Sequence, residues 1–315
     1  MLQAVFNAVV PVFGLILLGW TAARRGWLPE SATEALNRFV IFLALPALLF
    51  MAMARSDVSV LSEFGLAASF GVGTLGASLL YLWCTRKEQL DGINRSINCM
   101  SASYANAGFM GIPLILIVFG QEAMPAAVVV CIMTVAVLFG VTITVIEIVK
   151  ARGGSLTPAL RRVGMSLVLN PILVAPIAGL GFAAGEIEIP KAAAGLIDLL
   201  AGAATPCALI TIGLFLARSP MKTHSRSVVQ IVWIKLIAHP LLVGLLALYV
   251  FKVDPVWAWT AIVAAALPVG TGPFMLANLY QQNASVSARS ILLSTLGSVI
   301  TLSGLVAWIS YAKIS

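Results

Sequence analysis

The chain has 315 residues, of which 60% are hydrophobic and only 10% charged, and its mean hydropathy is +1.03. Soluble domains carry roughly 25% charged residues, so a soluble globular fold is excluded and an all-α polytopic membrane protein is expected. The net charge of +7 could suggest a nucleic-acid partner, but the basic residues sit in short connections between apolar runs, where they report topology instead.

A helix needs about 20 apolar residues to cross a bilayer. Ten such stretches follow one another, at residues 4–22, 34–54, 63–84, 94–119, 124–149, 161–183, 191–217, 227–251, 256–280 and 286–311. The first is expected to be retained and not cleaved as a signal peptide. Met1 to Val10 has no basic segment, and Arg24 and Arg25 come after the apolar run. Residues 150–162 form the longest polar connection, a seam between a first repeat at 1–155 and a second at 156–315.

Basic residues gather after the odd-numbered stretches, among them Arg24, Arg25, Arg86, Lys87, Lys150, Arg152, Arg218 and Lys222. The other side holds only Arg55, Lys191, Lys252 and Lys313. Positive loops stay cytoplasmic, so both termini are expected to face the periplasm. Five spans per half then place the halves in opposite orientations, the inverted-repeat plan of secondary transporters. Three proline pairs share one offset: 273 − 113, 171 − 11 and 206 − 46 all equal 160.

The fourth and ninth stretches are built to break. Gly108, Gly111 and Pro113 interrupt one, and Pro268, Gly270, Thr271, Gly272 and Pro273 interrupt the other. Glycine weakens a helix by about 1 kcal/mol relative to alanine, and proline removes a donor and clashes with the preceding turn. Broken backbone is tolerated at membrane depth only where it is buried in protein or lines a cavity. Proline is at home in the first helical turn, so Pro113 and Pro273 are expected to open second half-helices. Such starts are partially positive and carry free amides. Two of them meeting at the midplane make an anion site, most simply for a carboxylate. Asn106, just before the first break, offers both donor and acceptor without a buried charge. Asn98 and Ser101, a turn or two earlier, suit helix–helix hydrogen bonds equally well.

Few charges fall inside the stretches. Asp198, Lys235 and His239 are candidates for a proton or charge relay. Lys235 lies about two turns from the cytoplasmic end and can instead snorkel to that face. His239 precedes Pro240 and serves either a proton or a freed carbonyl. Asp198 pairs with His239 or with nothing. Cys84, Cys99, Cys131 and Cys207 have no metal-ligand spacing and read as packing residues, so no metal or cofactor is expected.

Asn106-Ala107-Gly108-Phe109-Met110-Gly111-Ile112-Pro113-Leu114 resembles the auxin efflux carrier family, including its bacterial members, and the Thr205-Pro206 region with Ile212-Gly213 is similar to it as well. The resemblance implies a scaffold from spans one, two, six and seven. It implies a transport domain from spans three to five and eight to ten, and an elevator-like motion between the two. It also places Asn106 on the substrate carboxylate and leaves a homodimer open. The related bile acid:sodium symporters share the architecture but hold sodium with acidic and amide residues near the second break. No Asp or Glu occurs here from Ala264 to Asn283.

The expected function is secondary transport of small organic anions, mono- or dicarboxylates, across the inner membrane. A sodium-coupled symporter of the bile-acid type is the alternative, and a passive channel would use the crossing as a filter. An embedded enzyme would need clustered acids, a His-rich site or a nucleophile beside its base, and none is present. No nucleotide-binding loop occurs to supply ATP drive.

Overall fold

The computed structural model describes residues 2–56, 64–151, 164–165, 169–218 and 226–312. Most of the seam, at 152–162, lies outside the described residues, as do Lys222, His224 and Lys313. Counting contiguous helical turns as one element, twelve helices of eight residues or more lie among the described residues. They are α1 Leu2–Arg24, α2 Ser31–Ala54, α3 Phe64–Cys84, α4 Gly92–Ser101, α5 Ala107–Phe119 and α6 Gln121–Lys150 in the first part. The second part holds α7 Pro171–Ala184, α8 Lys191–Arg218, α9 Arg226–Val250, α10 Pro255–Ala266, α11 Gly272–Leu279 and α12 Ser285–Tyr311.

Six of these (α2, α3, α6, α8, α9 and α12) are long and apolar enough to cross a membrane. The fourth and ninth predicted stretches are each two short helices, α4 with α5 and α10 with α11. Large apolar side chains face outward along the long helices, Leu199 of α8 at 81% exposure and Ile300 of α12 at 79% among them. An apolar surface of that extent is satisfied by lipid and not by water, and the chain is a multi-pass membrane protein.

Local chemistry sets where the short helices begin. The Asp91 carboxylate accepts from the amides of Ile93 and Asn94, both at 3.0 Å, and so caps α4. Partial burial pushes the Asp91 pKa up, but hydrogen bonds from the Asn94 side chain and from the Asn94 and Ile93 amides outweigh it and hold it below its usual value. Asp254 caps α10 through the Val256 amide at 3.0 Å, with Pro255 at the first helical position.

Two sets of contacts organise the helices. In one, α1 packs on α8, α7 packs on α2, and α2 and α8 touch each other. Glycine permits the closest approaches. A Cβ on Gly19 would fall on the Ile210 carbonyl, and one on Gly179 would fall on the Phe50 carbonyl. The two contacts share one offset, since 179 − 19 and 210 − 50 both equal 160. In the other set, α9 packs on α3, α10 and α12, and α4 packs on α6.

Candidate functional site: two helix breaks that bond to each other

Helix α4 stops at Ser101, and α5 begins at Ala107; α10 stops at Ala266, and α11 begins at Gly272. The two intervening segments run antiparallel and pair, Ala105 opposite Val269. The Asn106 amide donates to the Pro268 carbonyl at 3.0 Å, and the Gly270 amide donates to the Tyr104 carbonyl at 3.1 Å. Neighbouring helices bond to both segments. Ser294 of α12 accepts from the Val269 amide at 2.9 Å, and Ser78 of α3 shares a 2.9 Å hydrogen bond with Ser103. The first-turn amides of α5 and α11 have no partner within their helices, and the pairing of the two segments holds both half-helix starts near one another.

The predicted residues occupy different roles here. Asn106 takes the cap position of α5 at φ −76° and ψ 55°, is 5% exposed, and its side chain caps nothing. Gly111 and Gly272 are required by close approach and not by unusual backbone angles. A Cβ on Gly111 would come within 2.7 Å of the Leu267 side chain, and one on Gly272 would meet the Tyr104 ring. Each break thus presses a side chain onto a glycine of the other. Gly270 also lies under Tyr104, and Gly108 faces Leu45 of α2.

The prolines differ. Pro273 stands in the first turn of α11, the predicted place. Pro113 stands further in, because α5 opens with a π-helical turn, Ala107–Gly111, and becomes α-helical only at Ile112. The Met110 and Gly111 amides both return to the Asn106 carbonyl, at 3.1 and 2.9 Å. The start of α5 is therefore set at Asn106 and not at Pro113.

Of the three intramembrane candidates, Asp198 stands apart, while Lys235 and His239 lie one turn from each other on α9. Asp198 does not reach His239; it forms a 2.8 Å ion pair with Arg55, joining α8 to the end of α2. Lys235 does not snorkel. It is 0% exposed, and its Nζ donates to the Ala265 carbonyl at 2.5 Å, at the broken end of α10. His239 is also fully buried, its Nε2 3.1 Å from the Thr74 hydroxyl of α3 and its ring tilted on Phe70. Its Nδ1 has no partner among the described residues.

Two vestibules flank the crossing. One, of about 740 Å³, is bounded by Arg55, Asp198, Thr205, Gln121 and Glu122, and reaches α5 only at Leu116. The other, of about 670 Å³, is bounded by Glu30, Asn37, Thr211 and Arg218, and reaches the breaks at Phe109, Thr271 and Phe274. There the Arg218 guanidinium donates to the Glu30 carbonyl and the Thr33 hydroxyl, both at 2.6 Å. Arg55 and Arg218 entered the sequence argument only as topology charges. A signal for Arg55 was present: it is a lone cation at the end of the second stretch, with Asp198 the one acid inside the seventh. Among the described residues no three His, Cys, Asp or Glu side chains gather to hold a metal.

Broken helices crossing inside an apolar bundle, with a cavity on either side, are the arrangement of a membrane transporter. The chain matches, over residues 4–306, the family described as Membrane transport protein, and it belongs to that family, the auxin efflux carriers. It is 32% identical to a Rhizobium meliloti protein named "Putative malonate transporter", over 94% of this chain and 93% of the relative. It is 26% identical to an "Uncharacterized transporter" of Methanothermobacter thermautotrophicus, over 94% and 95% of the two chains. An Escherichia coli K12 protein named "Uncharacterized transporter YfdV" is 21% identical over 96% of both.

Proposed function

We propose that the chain is a secondary carrier of small organic anions, mono- or dicarboxylates, with malonate the first candidate because of the name given to the Rhizobium meliloti relative. The observation that carries this reading is the mutual pairing of the two breaks, which brings two half-helix starts together. Those starts are partially positive, and the Asn106 side-chain carboxamide stands beside them, buried and without a capping bond of its own. One carboxylate accepts from the free amides of α5 and α11 and from Asn106. Gly108, Gly111, Pro113, Pro268, Gly270, Thr271, Gly272 and Pro273 shape the space around it.

The architecture that suits this is ten spans in two inverted five-helix repeats, with α4–α5 and α10–α11 each counted as one broken span. The exchanged glycine contacts at the constant offset of 160 support it. In this reading α1, α2, α7 and α8 form the scaffold, α3–α6 and α9–α12 the moving domain, and the two vestibules lie along the sliding surface. Positive charge puts the Arg218 vestibule on the cytoplasmic side of the inner membrane and both termini in the periplasm. The conformation described then opens the crossing inward.

Labelled-malonate exchange by the purified protein in liposomes tests the function. Exchange is expected, unchanged when choline replaces sodium at fixed pH and voltage. A tenfold fall without sodium, about 1.4 kcal/mol of coupling, would favour the sodium symporter. Exchange of no mono- or dicarboxylate would overturn the carrier reading. For topology, a cysteine at Ser56 should label from the periplasm and one at Glu30 should not; the reverse pattern contradicts the orientation.

A further inference from the structure

Lys235 is a buried amine that the anion site does not use. It lies in the π-helical turn Ile234–Ala238 of α9, is 0% exposed, and spends one donor on the Ala265 carbonyl. That carbonyl belongs to the last turn of α10, which carries partial negative charge because the helix stops there. Ala265 is seven residues before Gly272, so Lys235 grips the second break on the side opposite to its amide end.

Among the described residues no carboxylate pairs with this amine. Its turn is packed by α3, α10 and α12. Helix α10 brings no titratable side chain, α3 brings Tyr81 and Cys84, and α12 brings Arg289 and Tyr311. On α9 itself the others are Arg226, His239 and Tyr249. The nearby Glu88 is held by the Ser227 hydroxyl at 3.0 Å, about two turns nearer the helix start. His239, one turn further along, pairs with a hydroxyl that can donate or accept, which suits a neutral imidazole. The Lys235 partner is a carbonyl, to which the amine donates in either protonation state, and the partial negative charge of that helix end favours the ammonium. Of the two buried bases, Lys235 is the one placed to hold a charge.

We propose that Lys235 is a tethered coupling cation: its ammonium sits on the broken end of α10, where a transporter could otherwise bind a free cation, and it exchanges one proton with water per transport cycle. An uncompensated charge is costly to carry through a bilayer. With an anion in the crossing, the ammonium offsets one carboxylate. The empty carrier returns with Lys235 as a neutral amine, after the ammonium has released its proton to water on one side. It regains a proton on the other. Anion and proton then travel in the same direction, with no sodium involved.

This rests on the anion-carrier reading for its transport consequence but not for its structural one, and the test separates the two. The first measurement is hydrogen–deuterium exchange over residues 265–271 of the purified protein without substrate, from acidic to alkaline pH and corrected for the intrinsic rate. In the unmodified protein, protection of the Val269 and Gly270 amides should fall as Lys235 loses its proton. In Lys235→Arg it should persist to alkaline pH, and in Lys235→Ala it should be low throughout. Identical pH profiles for the unmodified protein and Lys235→Arg overturn the proposal. The second measurement uses malonate in proteoliposomes under an imposed proton gradient. The ratio of proton-driven accumulation to exchange should fall about tenfold in Lys235→Arg, about 1.4 kcal/mol of coupling. An unchanged ratio also overturns it. If the unmodified protein does not exchange malonate, the substrate reading fails, while the first measurement still decides the role of Lys235.

Discussion

The two breaks share a plan and differ in what they present. The first carries side chains of its own: Ser103 bonded to α3, and Asn106 buried with its side chain uncommitted. The second has Thr271 as its one polar side chain and is fixed from outside, by Lys235 on Ala265 and by Ser294 on Val269. The first starts its half-helix with a π turn and the second with a proline. The first break has an uncommitted side chain to offer, and the second is backbone whose position neighbouring helices hold.

The largest effect is expected where the breaks touch. Gly111→Leu would drive a side chain into Leu267, and overpacking of this kind costs about 1–3 kcal/mol. Malonate exchange should fall about tenfold or more while the protein still purifies as a single species. Normal exchange would mean that the breaks need not stay in contact.

Asn106→Ala comes next. Losing one hydrogen bond to a charged ligand should weaken malonate binding by about 1–2 kcal/mol, read as a shift in Kd. Thr271→Ala should change it less if the first break is the one that contributes a side chain. Equal losses would erase the proposed division.

The prolines test the two ways of starting a half-helix. Pro273→Ala should slow exchange several-fold, because Pro273 stands in the first turn of α11. Pro113→Ala should do less, because the π turn already sets the start of α5 before it. A larger effect at Pro113 would reverse this assignment.

The smallest effect belongs to the Arg55–Asp198 pair, whose side chains are 59% and 46% exposed. Exposed pairs contribute about 0–1 kcal/mol, so Asp198→Asn should shift thermal unfolding only slightly.

The helices and the breaks were legible in the sequence because apolar length, proline and glycine act locally. The predicted stretch 191–217 is met by α8, Lys191–Arg218, and the stretch 256–280 divides within residues 267–271. The start of α5 was not legible, since nothing in Ala107–Gly111 distinguishes a π turn from an α turn before packing selects it. The role of Gly111 was only half legible. Its low helix propensity marked a break, but its need for space depends on Leu267, 156 residues away. The placement of Lys235 was hidden for a related reason. A long stem can snorkel or turn inward, and the free carbonyl of Ala265 that draws it inward exists only once α10 has stopped.

The central claim is that the anion sits where the two breaks meet. It is tested most directly with Thr271→Cys, in a background where Cys84, Cys99, Cys131 and Cys207 are replaced by alanine and malonate exchange is retained. Thr271 lines the Arg218 vestibule, so a small polar thiol reagent reaches it from that side. Malonate should slow alkylation at Cys-substituted position 271 about tenfold, and malonamide, its uncharged analogue, should not. An alkylation rate indifferent to malonate, in protein that exchanges malonate, would place the anion elsewhere and contradict the account.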